Sequence, residues 1–301
     1  MNIDLKKVKE FGNIELLARQ LVEGFITGMH KSPYHGFSVE FAEHRLYNTG
    51  ESTKYIDWKA YAKTDRLYSK RFEEETNLRC HLVIDNSSSM YYPVENKGKV
   101  TFSILSAAAL AYLLQKQRDA VGIFSFSDKI ELQTQIKSTS SHLHKLFISL
   151  EKMLDETPKT KKTSVAPVLH EIAEKIHKRS LVIIFSDMFQ NTINNQEIFT
   201  ALQHLKHNKH EVLLFHVTDI LTELNFNFEE RPYEFQDMES GEKLKLQPSQ
   251  IKDLYQQKMK EYYQALRLKC GQFKIDYVEA DINKNFDQVL SAFLIKRTKM
   301  T

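Results

Sequence analysis

The run Leu181-Val182-Ile183-Ile184-Phe185 is apolar at every position. A strand with one wet face alternates apolar and polar residues; a strand covered on both faces does not. Similar character recurs at His81–Ile84, Val121–Phe126 and Val212–Val217, and a last strand is expected over Phe273–Val278. Helical patterns separate them. Thr101–Gln117 is apolar almost all round, and helices are expected near Leu143–Leu154, Val165–His177, Gln196–Leu205 and Phe286–Lys296. Strand and helix in alternation predict an α/β fold with a doubly wound, mostly parallel sheet. Lys129–Ile136 alternates as an edge strand would.

The two flanks of this pattern differ from it. Ile14, Leu17, Leu21 and Phe25 recur at helical spacing, and residues 30–76 then mix aromatics with charges around a turn at Asn48–Gly50. We expect an N-terminal helix and β-containing segment over 1–76, and the α/β domain over 77–301. An insertion interrupts that domain at about 219–271. It reads as a hairpin turning at Glu239–Ser240–Gly241, followed by an amphipathic helix marked by Tyr255, Met259, Tyr262 and Leu266.

The charge balance, 42 Lys and Arg against 39 Asp and Glu, is too even to point to nucleic acid or an anionic membrane as partner. Two cysteines, Cys80 and Cys270, imply no disulfide framework. The start MNIDLKKVKEFGN lacks the apolar core of a secretory signal, and the apolar run Ile104 to Leu114 is short for a span. The expectation is a cytoplasmic protein without a membrane span. No Walker A, Gly-x-Gly-x-x-Gly, Gly-x-Ser-x-Gly or His-Glu-x-x-His sequence occurs.

In open α/β sheets, sites form beyond the carboxyl ends of the strands. The first strand runs into Asp85-Asn86-Ser87-Ser88-Ser89, and LVIIF runs into Ser186-Asp187. Thr163 lies in the loop before the helix that precedes LVIIF. Asp85, Ser87, Ser89, Thr163 and Asp187 are hard oxygen donors, suited to Mg2+ or Mn2+ and not to zinc. Asp and Ser also cap helices at such turns, so the triplet alone carries little weight. The second aspartate at another strand end adds to it.

In this order, these residues resemble the metal-ion-dependent adhesion site of von Willebrand factor A-type (vWA) domains. The chain is more closely similar to the bacterial DUF58 family, from about residue 28 to 297. The carriers are Gly36-Phe37-Ser38-Val39-Glu40-Phe41, Arg45-x-Tyr47, Gly50, Ile56-Asp57-Trp58, Asp85-x-Ser87-x-Ser89-Met90, Asp119-x-Val121-Gly122, Asp237-Met238-Glu239-Ser240-Gly241-Glu242 and Tyr255. The resemblance implies a vWA/Rossmann-like fold. It implies direct ligation by Ser87 and Ser89, and ligation by Thr163 directly or through water. Asp85 and Asp187 would hold coordinated waters and the serines. The open position would receive an acidic side chain of a protein partner, with a MoxR-type AAA+ ATPase as candidate. One departure stands out: Lys161-Lys162 occupy positions where the family usually has glycines, leaving Thr160 and Ser164 as rivals of Thr163. Asp57-Trp58 is read as an anchor between the N-terminal segment and the main domain.

Two functions compete. One is a non-enzymatic interaction module that binds a partner through its metal. The other is a Mg-dependent, phosphoesterase-like hydrolase using the same aspartates. A hydrolase with two metals needs more carboxylates, for which the sequence offers Asp128, Asp219 and Asp281. Hydroxyls neutralise a cation weakly and leave it avid for an external carboxylate, which favours the module. The sequence names no oligomeric state.

Overall fold

The computed structural model describes residues 13–30, 44–46, 58–70, 78–156, 165–189, 196–238 and 241–300. The first helix is α1 (Ile14–His30). After it come β1 (His44–Leu46), α2 (Trp58–Thr64) and β2 (Tyr68–Lys70), with β1 and β2 paired antiparallel. Residues 28–77 form one contact unit, whereas the chain up to Thr27 groups with Leu78 onward. The stripe Ile14, Leu17, Ala18, Leu21 and Val22 is buried in the core of the larger unit, and Ile14 N donates to Glu151 at 3.0 Å. Thus α1 is counted with the α/β domain, while the sequence reading had placed it with residues up to 76. Its apolar partners lie more than fifty residues further along. The side chains of Asp57-Trp58 fall outside the described residues.

The larger unit continues with β3 (Arg79–Asp85), α3 (Gly98–Lys116), β4 (Ala120–Phe126), β5 (Ile130–Gln133), α4 (Ser140–Asp155), α5 (Val165–Lys175), β6 (Leu181–Ser186), α6 (Gln196–His207) and β7 (Glu211–Thr218). Then come β8 (Tyr233–Gln236), β9 (Lys243–Leu246), α7 (Pro248–Gln272), β10 (Asp276–Asp281) and α8 (Asp287–Thr298). The strands β8 and β9 form a separate hairpin within the insertion. The other six make one sheet in the order β10-β7-β6-β3-β4-β5. All neighbours are parallel except β5, which pairs antiparallel on β4 at the edge. The chain leaves β3 toward β4 and β5, then returns to β6 on the other side of β3. The strand order therefore reverses between β3 and β6, which is where such sheets bind ligands.

Alternate residues of each strand face opposite layers. Leu82, Ile84, Ile183, Phe185 and Phe215 join one core with α1, α3, α4 and α8, while Val83, Val182, Ile184, Val212 and Leu214 join another with α5, α6 and α7. Both faces are covered, which is why LVIIF needs no polar position. Each fully buried Leu, Ile or Phe contributes about 1.5–3 kcal/mol. Among the described residues α3 is the one helix long and apolar enough to cross a bilayer, yet 89% of that window is buried inside the domain. Its apolarity is accounted for by the core it fills. The last strand starts at Asp276, three residues later than expected. The reason is that α7 runs on to Gln272 and the chain turns at Lys274, whose φ of 58° lets Ile275 N reach Cys270 O at 2.8 Å.

His81 of β3 is 5% exposed, lies 5.6 Å from the Phe124 ring, and neither of its ring nitrogens meets a partner among the described residues. Burial first, and then the neighbouring His210, lower its pKa from 6.5 to about 4. As pH falls, the unfolded chain takes the proton before the folded one does. Stability is therefore full above pH 6.5 and drops toward pH 4, by about 3 kcal/mol from this residue. His210, also lowered, acts in the same direction. In His81→Leu, urea denaturation across pH 7 to 4 should show a visibly flatter loss of stability; an unchanged slope would rule out the assignment.

Candidate functional site

At the end of β3, Asn86 N still donates to Phe126 O at 2.7 Å, so the strand pairing continues one residue past Asp85. The chain then turns tightly. Asp85 is 0% exposed, and its Oδ1 accepts the Ser87 backbone N–H at 2.9 Å. Its Oδ2 accepts the Ser186 hydroxyl from the end of β6 at 2.6 Å. One carboxylate thus fastens the loop after β3 to the neighbouring strand across the reversal point. A 3-10 turn over Ser88–Tyr91 follows, placing the Ser87 and Ser89 hydroxyls 3.2 Å apart. Tyr91 donates to Asn86 Oδ1 at 2.9 Å, and Asn86 Nδ2 donates to Glu131 at 2.8 Å, which supports the loop from behind.

At the end of β6, Met188 takes a φ of 53°, unusual for a bulky side chain, and its N–H turns back to Ser186 Oγ at 2.9 Å. This bend directs Asp187 into the interior, where it is 0% exposed. His216 Nε2 lies 2.9 Å from the Asp187 carbonyl, and the Tyr262 hydroxyl donates to Met188 O at 2.6 Å. Burial lowers the His216 pKa to about 4, so its ring is neutral and donates through Nε2.

The partner of Asp187 is a residue absent from the sequence reading. Lys99, in the first turn of α3, is 1% exposed, with Nζ 2.8 Å from Asp187 Oδ2 and 2.5 Å from Glu223 Oε1. Glu223 belongs to a π-helical turn, Ile220–Leu224, that follows β7. Its Oε2 accepts the Asp219 N–H at 2.9 Å and the Thr218 hydroxyl at 3.2 Å. Gly98 admits this arrangement, because a Cβ there would lie 2.5 Å from Pro93 Cδ and 2.9 Å from Ile282 Cδ1. Burial opposes the ammonium charge, but Asp187 and Glu223 outweigh it and raise the Lys99 pKa. For Asp85, burial and then the charge of Asp187 raise the pKa above the ordinary carboxylate range, against the pull of its Ser186 and Ser87 hydrogen bonds.

Four of the five sequence-derived site residues, Asp85, Ser87, Ser89 and Asp187, thus stand at the carboxyl ends of β3 and β6. Thr163, with its rivals Thr160 and Ser164 and the preceding Lys161-Lys162, falls outside the described residues. Asp219 and Asp281 are held together by Asn283, and Asp128 accepts from Ser127. Among the described residues no three His, Cys, Asp or Glu side chains form a metal-holding group. A surface concavity lined by Thr134, Lys137, His142 and Lys145 lies toward the amino end of β4, where Val121 bridges Lys137, and contains no carboxylate. Lys99, Ser186 and Glu223 were missed. The available signals were a Gly-Lys pair opening a helix that is apolar all round, and the serine directly after LVIIF.

The Ser186–Asp85 hydrogen bond is short, charge-assisted and buried. Ser186→Ala should lower stability by about 2 kcal/mol in urea denaturation, whereas Ser89→Ala should cost under about 1 kcal/mol. Equal effects would mean that Asp85 is not the fastening point.

The comparisons with known proteins bear on ancestry. Two relatives, uncharacterized proteins of Mycobacterium tuberculosis and Mycobacterium bovis, are each 23% identical over 216 residues, covering 72% of this chain and 66% of theirs. The alignment therefore spans just under two thirds of those relatives' length. Among solved structures, the chain is similar to an aerotolerance-related membrane protein from Bacteroides fragilis with multiple mutations to serines, at a TM-score of 0.46 and 14% identity. It is also similar to the conserved hypothetical protein BatB from Bacteroides thetaiotaomicron, at 0.40 and 14%. Each covers 74% of this chain and all of the other. The fold described above rests on its own strand order and not on these scores. A family model described as a protein of unknown function, DUF58, matches residues 43–265, and the chain belongs to that family.

Proposed function

We propose that this chain is a non-enzymatic protein-binding module of vWA type, whose surface at the carboxyl ends of β3 and β6 holds Mg2+ or Mn2+. The observation that carries the reading is the hydroxyl pair. Octahedral Mg2+ with oxygen arms of about 2.1 Å has adjacent ligands about 3.0 Å apart. Ser87 Oγ and Ser89 Oγ are 3.2 Å apart and fit one such edge. Asp85 holds the Ser87 backbone behind that edge, as a residue orienting a ligand does. Ser87 and Ser89 would bind the ion, Asp85 and Asp187 would hold its waters, and Thr163 would supply the third hydroxyl. Neutral donors leave the ion with most of its charge, so it would attract a carboxylate from a partner. The partner we would test first is a MoxR-type AAA+ ATPase.

The alternative, a Mg-dependent hydrolase, calls for further carboxylates at the ion, and no specific contact favours it. Asp219 and Asp281 are engaged with each other's neighbour Asn283.

Mg2+ or Mn2+ should raise the melting temperature through preferential binding to the folded state. The double change Ser87→Ala, Ser89→Ala should remove that shift without loss of secondary structure; an equal shift in the variant would dismiss the site. In pulldowns, an acidic partner should be retained with Mg2+ and released by EDTA. Metal-dependent turnover of phosphodiesters, lost in Asp85→Ala, would replace this reading with the hydrolase.

A further inference from the structure

We infer that Lys99 is the resident cation of this site, and that a divalent ion takes Asp187 from it while the ammonium remains on Glu223. The inference rests on the metal-binding reading above and adds what sets the site's affinity.

The position of Lys99 goes against local preference. It stands in the first turn of α3, where the helix dipole is positive and a cation is disfavoured. It is also desolvated, at a cost of several kcal/mol for an ammonium. The two carboxylates offset both penalties, with a smaller contribution from the Phe189 ring, whose centroid lies 5.8 Å from Nζ. These two are not equivalent. Glu223 is anchored by Thr218 and Asp219 through Oε2, and its Oε1 faces Lys99. Asp187 has one such support, the Phe189 N–H on Oδ1 at 3.2 Å, and accepts Lys99 on Oδ2, whereas Glu223 has two. The anchored Glu223 is the firmer seat for the ammonium. Asp187, at the end of β6 beside the Ser186–Asp85 link, is the carboxylate that the ion and the ammonium share.

Two consequences have opposite signs. Without Lys99, Asp187 is available and the ion binds more tightly. Without the charge of Glu223, the ammonium depends on Asp187 alone and the ion binds less tightly. A lysine that merely supported packing would give neither pattern.

The test is calorimetric titration of the folded chain with Mn2+, with folding of each variant checked by circular dichroism. Lys99→Met should bind Mn2+ at least tenfold tighter than the unaltered chain, and Glu223→Gln at least threefold weaker. In an Asp187→Asn background, Lys99→Met should lose its effect. If the metal binds, depends on Ser87 and Ser89, and is unaffected or weakened by Lys99→Met, the role of Lys99 is overturned and the metal site stands. An undiminished effect of Lys99→Met in the Asp187→Asn background also overturns it, since the lysine then acts as background charge. If Mn2+ binds neither the unaltered chain nor Lys99→Met, the metal reading itself fails, and this inference with it. Should Lys99→Met not fold, Glu223→Gln decides: equal or tighter binding overturns the exchange.

Discussion

The carboxylate of Asp85 joins two strands at the one place where the sheet changes its direction of growth. Its two oxygens accept from Ser186 on β6 and from the backbone of Ser87 on the loop after β3. Burying a carboxylate is costly, and hydrogen bonds to its charged form are the means of offsetting that cost. The compensation here is incomplete, since burial and Asp187 still raise its pKa. Asp85 is therefore a buried carboxylate whose charged form its own hydrogen bonds only partly compensate. The same bonds give the loop its shape, and the two buried aspartates together call for a countercharge.

Lys99 meets part of that demand from inside the molecule. Its path into the interior depends on Gly98, on the close packing of the α3 start against Pro93 and Ile282, and on a turn after β7 that presents Glu223. Three stretches far apart in sequence converge on one ammonium. Buried ion pairs of this kind contribute little net stability while making the loss of either partner severe. Aromatic residues line the same region: Phe189 stacks on Tyr262, and His216 packs edge-on against Tyr263. They limit water around the charges and so strengthen the interaction among them.

Much of the fold could be read in the chain because it rests on local patterns. LVIIF, the all-round apolarity of α3 and the alternation of strand with helix each report burial directly, and the parallel sheet follows from them. The serine pair and the two aspartates were legible because strand ends concentrate chemistry in such sheets. Lys99 was not. A lysine near a helix start reads as solvated, and only the three-dimensional convergence of β6 with the turn after β7 shows otherwise. The grouping of α1 was hidden for the same reason, since its apolar stripe shares a core with residues of α3 and α4, far along the chain. The late start of β10 depended on how far α7 continues, which no periodicity signal marks sharply. Tyr262, which the sequence marks only as part of an amphipathic helix, hydrogen-bonds Met188 O, and the adjacent Tyr263 hydrogen-bonds Thr218; the helical pattern signals neither contact.

A sheet covered on both faces carries an ambiguity that a half-wet sheet escapes. When both sides of a strand are apolar, sliding it by one residue exchanges one core for the other, with little hydrophobic penalty. The strands β3, β6 and β7 are of this type, with Leu82 to Ile84, Leu181 to Phe185 and Val212 to Phe215 buried throughout. Their polar ends break the degeneracy. A slip of β3 toward its amino end would drive the Asp85 carboxylate between apolar layers, and a slip of β6 would separate Ser186 from it. The charged cluster at the strand ends is therefore also an alignment stop. It fixes which residues of the sheet face each other.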